Sequence, residues 1–296
     1  MGVSMKQRKI FALGFFDGVH LGHQALLHAC CQLAKEQDCL PVAVTFPLSP
    51  SAVLQKLEPN MISSIRERSM LLMSYGIAEI RLFDATAQAL SMPWQAFLEL
   101  LVSEGAAGFV CGADYRFGKG GVGTAENLAA FAAERKLSCI VVPEQTMDGE
   151  KISSTRIRTL LEAGDVEKAG RLMGHPYVLM GTVHHGQQLG RTIGIPTANL
   201  SVQEGVLPLA FGVYACTVEF DGHTYVAVTN VGTRPTVDGQ GITVEPWILD
   251  FDGDLYGREL TLYFHKFLRP EQKFDNLEAL RAQIQKDAAE AYKLLK

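Results

Sequence analysis

Residues 9–14, 41–46, 78–83, 107–112 and 138–143 (KIFALG, PVAVTF, AEIRLF, AGFVCG, SCIVVP) are apolar runs of strand length. Between them, residues 23–37, 64–76, 93–105 and 124–136 return their apolar side chains every three or four positions, the period of an amphipathic helix. Short apolar strands separated by helices of this size predict right-handed crossovers and a mainly parallel sheet covered on both faces. Functional groups in such a sheet gather beyond the carboxyl ends of its strands.

The period changes near residue 175. Residues 158–174 read as two short helices joined at Gly164, with Asp165 as an N-cap, and Pro176 opens a different texture. Residues 177–185, 212–220, 224–232, 243–251 and 259–267 are strand-like, Asp221-Gly222 marks a hairpin, and residues 276–296 form an amphipathic helix. The expected fold class is α/β: an N-terminal parallel sheet with flanking helices over residues 1–174, then an antiparallel β-barrel with a terminal helix over 175–296.

A length of 296 residues permits either one large domain or two smaller ones, so the change of period decides for two. No apolar stretch approaches the roughly 20 residues of a membrane span. The apolar segment 10–16 is too short for a signal-peptide core, so a cytoplasmic location is expected. Cysteines 30, 31, 39, 111, 139 and 216 form no C-x-x-C pair, which favours reduced thiols over disulfides or zinc. The net charge of −5 arises without long blocks of either sign and builds no nucleic-acid footprint. Small-molecule substrates are expected, with no nucleic acid, no membrane and no obligate protein partner.

Chemistry-bearing residues cluster where strands give way to helices. Asp17-Gly18-Val19-His20-Leu21-Gly22-His23 follows the first strand and opens the first helix, near backbone N–H groups that can receive phosphate. Two imidazoles so spaced can donate to phosphoryl oxygens as charge develops; taken alone, the pair also fits ordinary loop and cap histidines. Ser153-Ser154-Thr155-Arg156 stands at another helix start, where hydroxyls, N–H groups and a guanidinium can meet an anion. Asp114, after the fourth strand, can help shape a pocket.

The densest motif runs from Gly181 to Leu200, with Gly181, Gly186, Gly190, Arg191 and Gly194 in one connection that can approach phosphates closely. Thr197 and Asn199 add hard oxygen donors suited to Mg²⁺ bridging phosphates.

Taken in order, these segments resemble the bacterial bifunctional riboflavin kinase/FMN adenylyltransferase family, also called FAD synthetase. Pro196-Thr197-Ala198-Asn199 is similar to the flavokinase signature, and 230–236, 244–251, 254–258 and 267–270 match further family segments. The resemblance implies that His20 and His23 line the ATP phosphates and act at the α-phosphorus. Asp17, Gly18 and Asp114 would shape that pocket, and Ser153, Ser154, Thr155 and Arg156 would hold phosphates. In the second half it implies Thr197 and Asn199 on Mg²⁺, the glycine-rich loop with Arg191 over the nucleotide, and Asn230 and Arg258 on the substrate side. Glu245 is then the base that deprotonates a primary hydroxyl attacking the γ-phosphorus.

The implied chemistry is ATP-dependent conversion of riboflavin to FMN, then transfer of AMP from ATP to FMN to give FAD and pyrophosphate. Leu48 and Ser49 replace a proline and a histidine of the family pattern, Gly121 replaces an arginine, and Pro246-Trp247 replaces Thr-His. The first three motivate an alternative: a riboflavin kinase whose N-terminal domain is impaired or directed at another acceptor.

Overall fold

The computed structural model describes residues 7–185, 194–236 and 239–296. It divides into two compact units, Met1–Ser154 and Thr155–Lys296.

In the first unit, strands β1 (Lys9–Leu13), β2 (Leu40–Thr45), β3 (Glu79–Leu82), β4 (Ala106–Gly112) and β5 (Ser138–Val142) form one sheet in the order β3-β2-β1-β4-β5. Every adjacent pair is parallel. Helices α1 (Leu21–Glu36), α2 (Pro50–Gln55), α3 (Ile65–Ser74), α4 (Ala87–Leu90), α5 (Trp94–Ser103) and α6 (Ala125–Glu134) supply the crossovers. Alternation along β1 feeds two cores. Ile10 and Ala12 pack with Leu27 and Cys30 of α1 and Leu72 of α3, whereas Phe11 and Leu13 pack with Leu98 of α5 and Leu128 of α6. A strand buried on both faces has no polar side to show, hence the unbroken apolar runs. Thr124 and Asn127 form a reciprocal capping box that starts α6, worth about 1 kcal/mol. A small hairpin, β6 (Thr146–Met147) with β7 (Glu150–Lys151), precedes helix α7 (Ser154–Glu162).

The second unit contains most of α7, helix α8 (Val166–Met173), six barrel strands and a terminal helix. Strands β8 (Tyr177–His184), β9 (Asn199–Ser201), β10 (Gly212–Phe220), β11 (His223–Thr236), β12 (Gly239–Ile248) and β13 (Glu259–Pro270) close in the order β10-β11-β12-β9-β8-β13. One face of the strands is fully buried, with Tyr177, Tyr214, Val218, Leu262 and Phe264 among its residues. The opposite face of β10 and β11 presents Val213, Ala215, Val226 and Val228 to Ala288 and Ala291 of helix α9 (Leu277–Leu295).

The sequence pattern places the domain boundary at residue 174, whereas the compact units part between Ser154 and Thr155. Helix α8 packs on β8 and β13 through its buried Val166, Ala169, Leu172 and Met173. The predicted Asp165 cap is present, its carboxylate accepting from the Lys168 N–H at 3.0 Å.

Helix α9 is locked to the barrel by Arg269, whose Nε and Nη2 donate to Asp287 Oδ2 at 3.0 and 2.8 Å, with Asp287 nearly buried. Removing one member of such a pair leaves a buried charge unmatched. Asp287→Ala is therefore expected to destabilise the barrel unit by about 3–5 kcal/mol, measured as a lowered denaturant midpoint.

Candidate functional site

Strands β1 and β4 lie side by side, but the chain leaves β1 toward β2 and leaves β4 toward β5, in opposite directions across the sheet. Such a switch point opens a crevice at the strands' carboxyl ends. A cavity of about 250 Å³ occupies it, lined by His20, His23, Asp114, Lys151, Ser153 and Ser154 among others.

The loop after β1 is fixed from below. Asp17 is buried and accepts the N–H groups of Ile62 at 2.9 Å and Ser63 at 3.1 Å. Gly18 has φ of +71°, its N–H donates to Ser63 Oγ at 3.0 Å, and a Cβ there would meet Ile62 at 2.8 Å. A side chain at this position is excluded by both conformation and space. Asp17 and Gly18 thus build the loop and do not themselves line the cavity.

His20 ends the turn and caps α1, its Nδ1 accepting from the His23 N–H at 3.3 Å. The two imidazoles stack with centroids 3.6 Å apart, and Phe16 meets the His23 ring edge-on at 5.4 Å. Burial, then the neighbouring charges of His20 and Arg68, holds His23 well below the usual imidazole range. His23 is therefore neutral near pH 7 and has one ring N–H to donate. Its Nδ1 is shielded and lacks a hydrogen-bond partner among the described residues.

Across the cavity, Lys151 Nζ donates to Asp114 Oδ2 at 2.6 Å and Glu144 Oε1 at 2.5 Å, bonds that raise its pKa and keep it cationic. Ser154 opens α7 and ties it to the turn by donating its hydroxyl to Asp17 O at 3.1 Å. Thr155, exposed, and Arg156, half-buried, continue that helix without joining the cavity wall. Lys151 and Glu144 carry no signal in sequence, because each reads as a solvated turn charge.

A second cavity of about 260 Å³ shares Gly14, Phe15 and Tyr115 with the first and is walled by Phe46, Phe83 and Phe117. Buried Arg68 supports it, with Nη1 donating to Phe46 O at 2.7 Å, Nη2 to Ser63 O at 3.1 Å, and the guanidinium 4.2 Å from the Phe15 ring centre. Ser49 caps α2, and Gly121 lines this cavity with φ of +66°, a Cβ there lying 3.5 Å from Arg116 Cβ. Arg116 also lines it.

In the barrel unit, a cavity of about 310 Å³ is lined by Gly194, Thr197, Ala198, Pro246, Ile248 and Tyr256 among others. Along β9 and β12, Asn199 and Glu245 alternate with Ala198 and Pro246, so the register sets them on the face opposite this cavity's wall. His184 pairs with Asn199, Asn230 with Glu245 and with Val213, and Val213 with Arg269. One step along from the Val244–Leu200 pair, Glu245 comes opposite Asn199, as the Ala198 N–H to Pro246 O bond of 2.9 Å requires. Side chains directly opposite share a face. His184, Asn199, Glu245, Asn230, Val213 and Arg269 therefore form one row across all six strands, polar at every position but Val213.

Gly181 lies within β8, whereas Gly186, Gly190 and Arg191 fall outside the described residues. Arg258 does not line the cavity; its guanidinium pairs with Asp221 at the β10–β11 hairpin. No group of three or more His, Cys, Asp and Glu suited to a metal occurs among the described residues. The donors present are a hydroxyl, an amide oxygen and one carboxylate, a set that suits a cation taking its other ligands from phosphate and water.

Two family profiles match the chain, FAD synthetase over residues 3–156 and riboflavin kinase over 173–295. The bifunctional riboflavin kinase/FMN adenylyltransferase of Listeria monocytogenes is 38% identical over 94% of this chain and 90% of its own. That of Bacillus subtilis is 34% identical over 96% and 92%. A crystal structure from Streptococcus pneumoniae, described as a macrolide-efflux protein, superposes with a TM-score of 0.86 at 35% identity over 97% of this chain and 94% of its own. Among the described residues here, no helix is long and apolar enough to cross a membrane. With both halves matched by family profiles and relatives of one kind covered over at least nine-tenths of their length, the chain belongs to the bifunctional riboflavin kinase/FMN adenylyltransferase family.

Proposed function

We propose that the barrel phosphorylates riboflavin with ATP to give FMN, and that the sheet unit transfers AMP from a second ATP to FMN, giving FAD and pyrophosphate. The observation that carries the reading is the pairing in one chain of stacked His20 and His23 at the β1/β4 crevice with Glu245 flanked by Asn199 and Asn230. The activity boundary at residue 174 is supported by family matches that stop at 156 and resume at 173, although α8 packs with the barrel.

In the barrel, Glu245 orients the primary hydroxyl of riboflavin and takes its proton as the oxygen attacks the γ-phosphorus and ADP leaves. Asn230 and Asn199 hold that carboxylate from either side. Thr197 and Asn199 would hold Mg²⁺, which supplies charge screening on the phosphates when bound. The glycine-rich connection with Gly181, Gly186, Gly190, Arg191 and Gly194 covers the nucleotide, and Arg258 orders the neighbouring hairpin.

In the sheet unit, a phosphate oxygen of FMN attacks the α-phosphorus of ATP and pyrophosphate departs. His20, His23, Lys151 and the Ser153-Ser154 helix start donate to the phosphoryl oxygens. The aromatic cavity that shares Phe15 and Tyr115 with this site suits the flavin ring, which supports FMN binding beside the nucleotide. Ser49 caps α2 and Arg116 lines the cavity with Gly121, which supports the bifunctional reading over the kinase-only alternative; nothing in the structure explains the exposed Leu48. All six cysteines are unpaired, which supports a reducing, cytoplasmic setting.

Purified protein given riboflavin, ATP and Mg²⁺ is expected to show FMN rising and then yielding to FAD on a chromatogram. FMN accumulating without FAD contradicts the second activity. Glu245→Gln should lower kcat for riboflavin phosphorylation about 10²–10⁴-fold while FMN adenylylation continues. His23→Ala should do the converse, and separate initial-rate assays with riboflavin or FMN distinguish the two.

A pH dependence of stability also follows. Between the depressed value of folded His23 and the ordinary 6.5, the unfolded chain binds a proton that the folded chain refuses. Stability of the sheet unit should be full above 6.5 and fall as pH drops toward the folded value. Urea midpoints across this range should slope less steeply in His23→Gln.

A further inference from the structure

The polar row on the barrel has a neighbour that no motif announces. Two residues beyond Asn230 on the same face of β11, Gly232 leaves its backbone bare, and Glu271 covers it. A Cβ built on Gly232 would lie 2.4 Å from Glu271 Oε1 and 3.5 Å from Asn230 Nδ2. The Glu271 carboxylate and the Asn230 amide therefore both border the bare Gly232 backbone, and Asn230 is the cross-strand neighbour of Glu245. Glu271 follows the end of β13, two residues after Arg269, which Asp287 holds in place. It is exposed and makes no hydrogen bond or ion pair to any described residue, so its oxygens are open to donors from a ligand.

Two carboxylates bracketing one amide is an arrangement suited to a chain of hydroxyls. Each hydroxyl brings one donor, and an ionised carboxylate only accepts, at up to about four positions. A single base needs no second carboxylate nearby, whereas a polyol whose terminal hydroxyl must reach that base needs its inner hydroxyls held. Gly232 is then the residue that makes room, since any side chain there would displace Glu271.

Resting on the kinase reading of the barrel, we infer that Glu271 is a specificity-determining residue of that site, accepting hydrogen bonds from the secondary hydroxyls of the flavin's polyol chain while Glu245 takes the terminal one. Glu271 recognises the chain and not the ring. The distinction can be measured with lumiflavin, which has the ring without the polyol, as a competitive inhibitor.

In Glu271→Ala, KM for riboflavin should rise about tenfold or more, the loss of a hydrogen bond to a charged group, while the lumiflavin inhibition constant stays within about twofold. Gly232→Ala, which must push the carboxylate aside, should give the same signature. FMN adenylylation by both variants reports on folding of the remainder of the chain. An unchanged riboflavin KM in both variants, or a parallel weakening of riboflavin and lumiflavin, overturns the inference. Riboflavin turnover by the unsubstituted chain, measured alongside, separates the two levels: its absence overturns the kinase reading and this inference together.

Discussion

Asp17 has almost no contact with solvent, and its carboxylate takes the amide hydrogens of Ile62 and Ser63. A buried carboxylate is tolerated only when donors replace its lost water, so these bonds bind the loop after β1 to the segment before α3. The rest of the sheet-unit site depends on that tie. Gly18 can adopt its left-handed turn against Ile62, His20 reaches the cap of α1, and Ser154 finds the Asp17 carbonyl. Arg68 repeats the device from α3 by pinning Phe46 and the Ser63 carbonyl and lying over Phe15, the wall shared by two cavities. The groups lining the crevice are thereby held in place before any ligand arrives, the preorganisation that electrostatic catalysis requires.

The barrel reaches the same end by register. A closed antiparallel sheet fixes which residues stand opposite one another, and one slip would turn Glu245 to the buried face. Long pairings of β10 with β11 and of β11 with β12 set that register, and β9 needs only three residues to bring Asn199 beside Glu245. Helix α9 then covers one end of the same face through Ala288, Ala291 and the Arg269–Asp287 pair.

Much of this was legible in the sequence, for identifiable reasons. The strands β1, β2 and β4 are continuous apolar runs because both sheet faces are covered, and the cap at Asp165 and the long helix α9 carry strong local signals. The motif residues that converge, His20, His23, Asp114, Ser153 and Ser154 in one unit and Asn199, Glu245 and Asn230 in the other, could be named because each sits at a strand or helix end or on a register row. Other features left no local trace. Strand β9 is hidden by its brevity inside a glycine-rich connection, and the pairing of α8 with the barrel is a tertiary choice its own amphipathic pattern leaves open. Arg68 reads as the solvated side of α3 yet is buried, because its partners are carbonyls that only the folded loops bring together. Asp17, expected to help shape the pocket, does so from beneath by holding the loop after β1.

The central claim is that two separate sites act in series, the barrel forming FMN and the sheet unit converting it to FAD. It is tested most directly by mixing Glu245→Gln protein with His23→Ala protein and following riboflavin through to FAD. The account predicts that neither protein alone forms FAD from riboflavin and that the mixture does. FAD formed by either variant alone as fast as by the mixture, or a mixture as inactive as its parts, would contradict it.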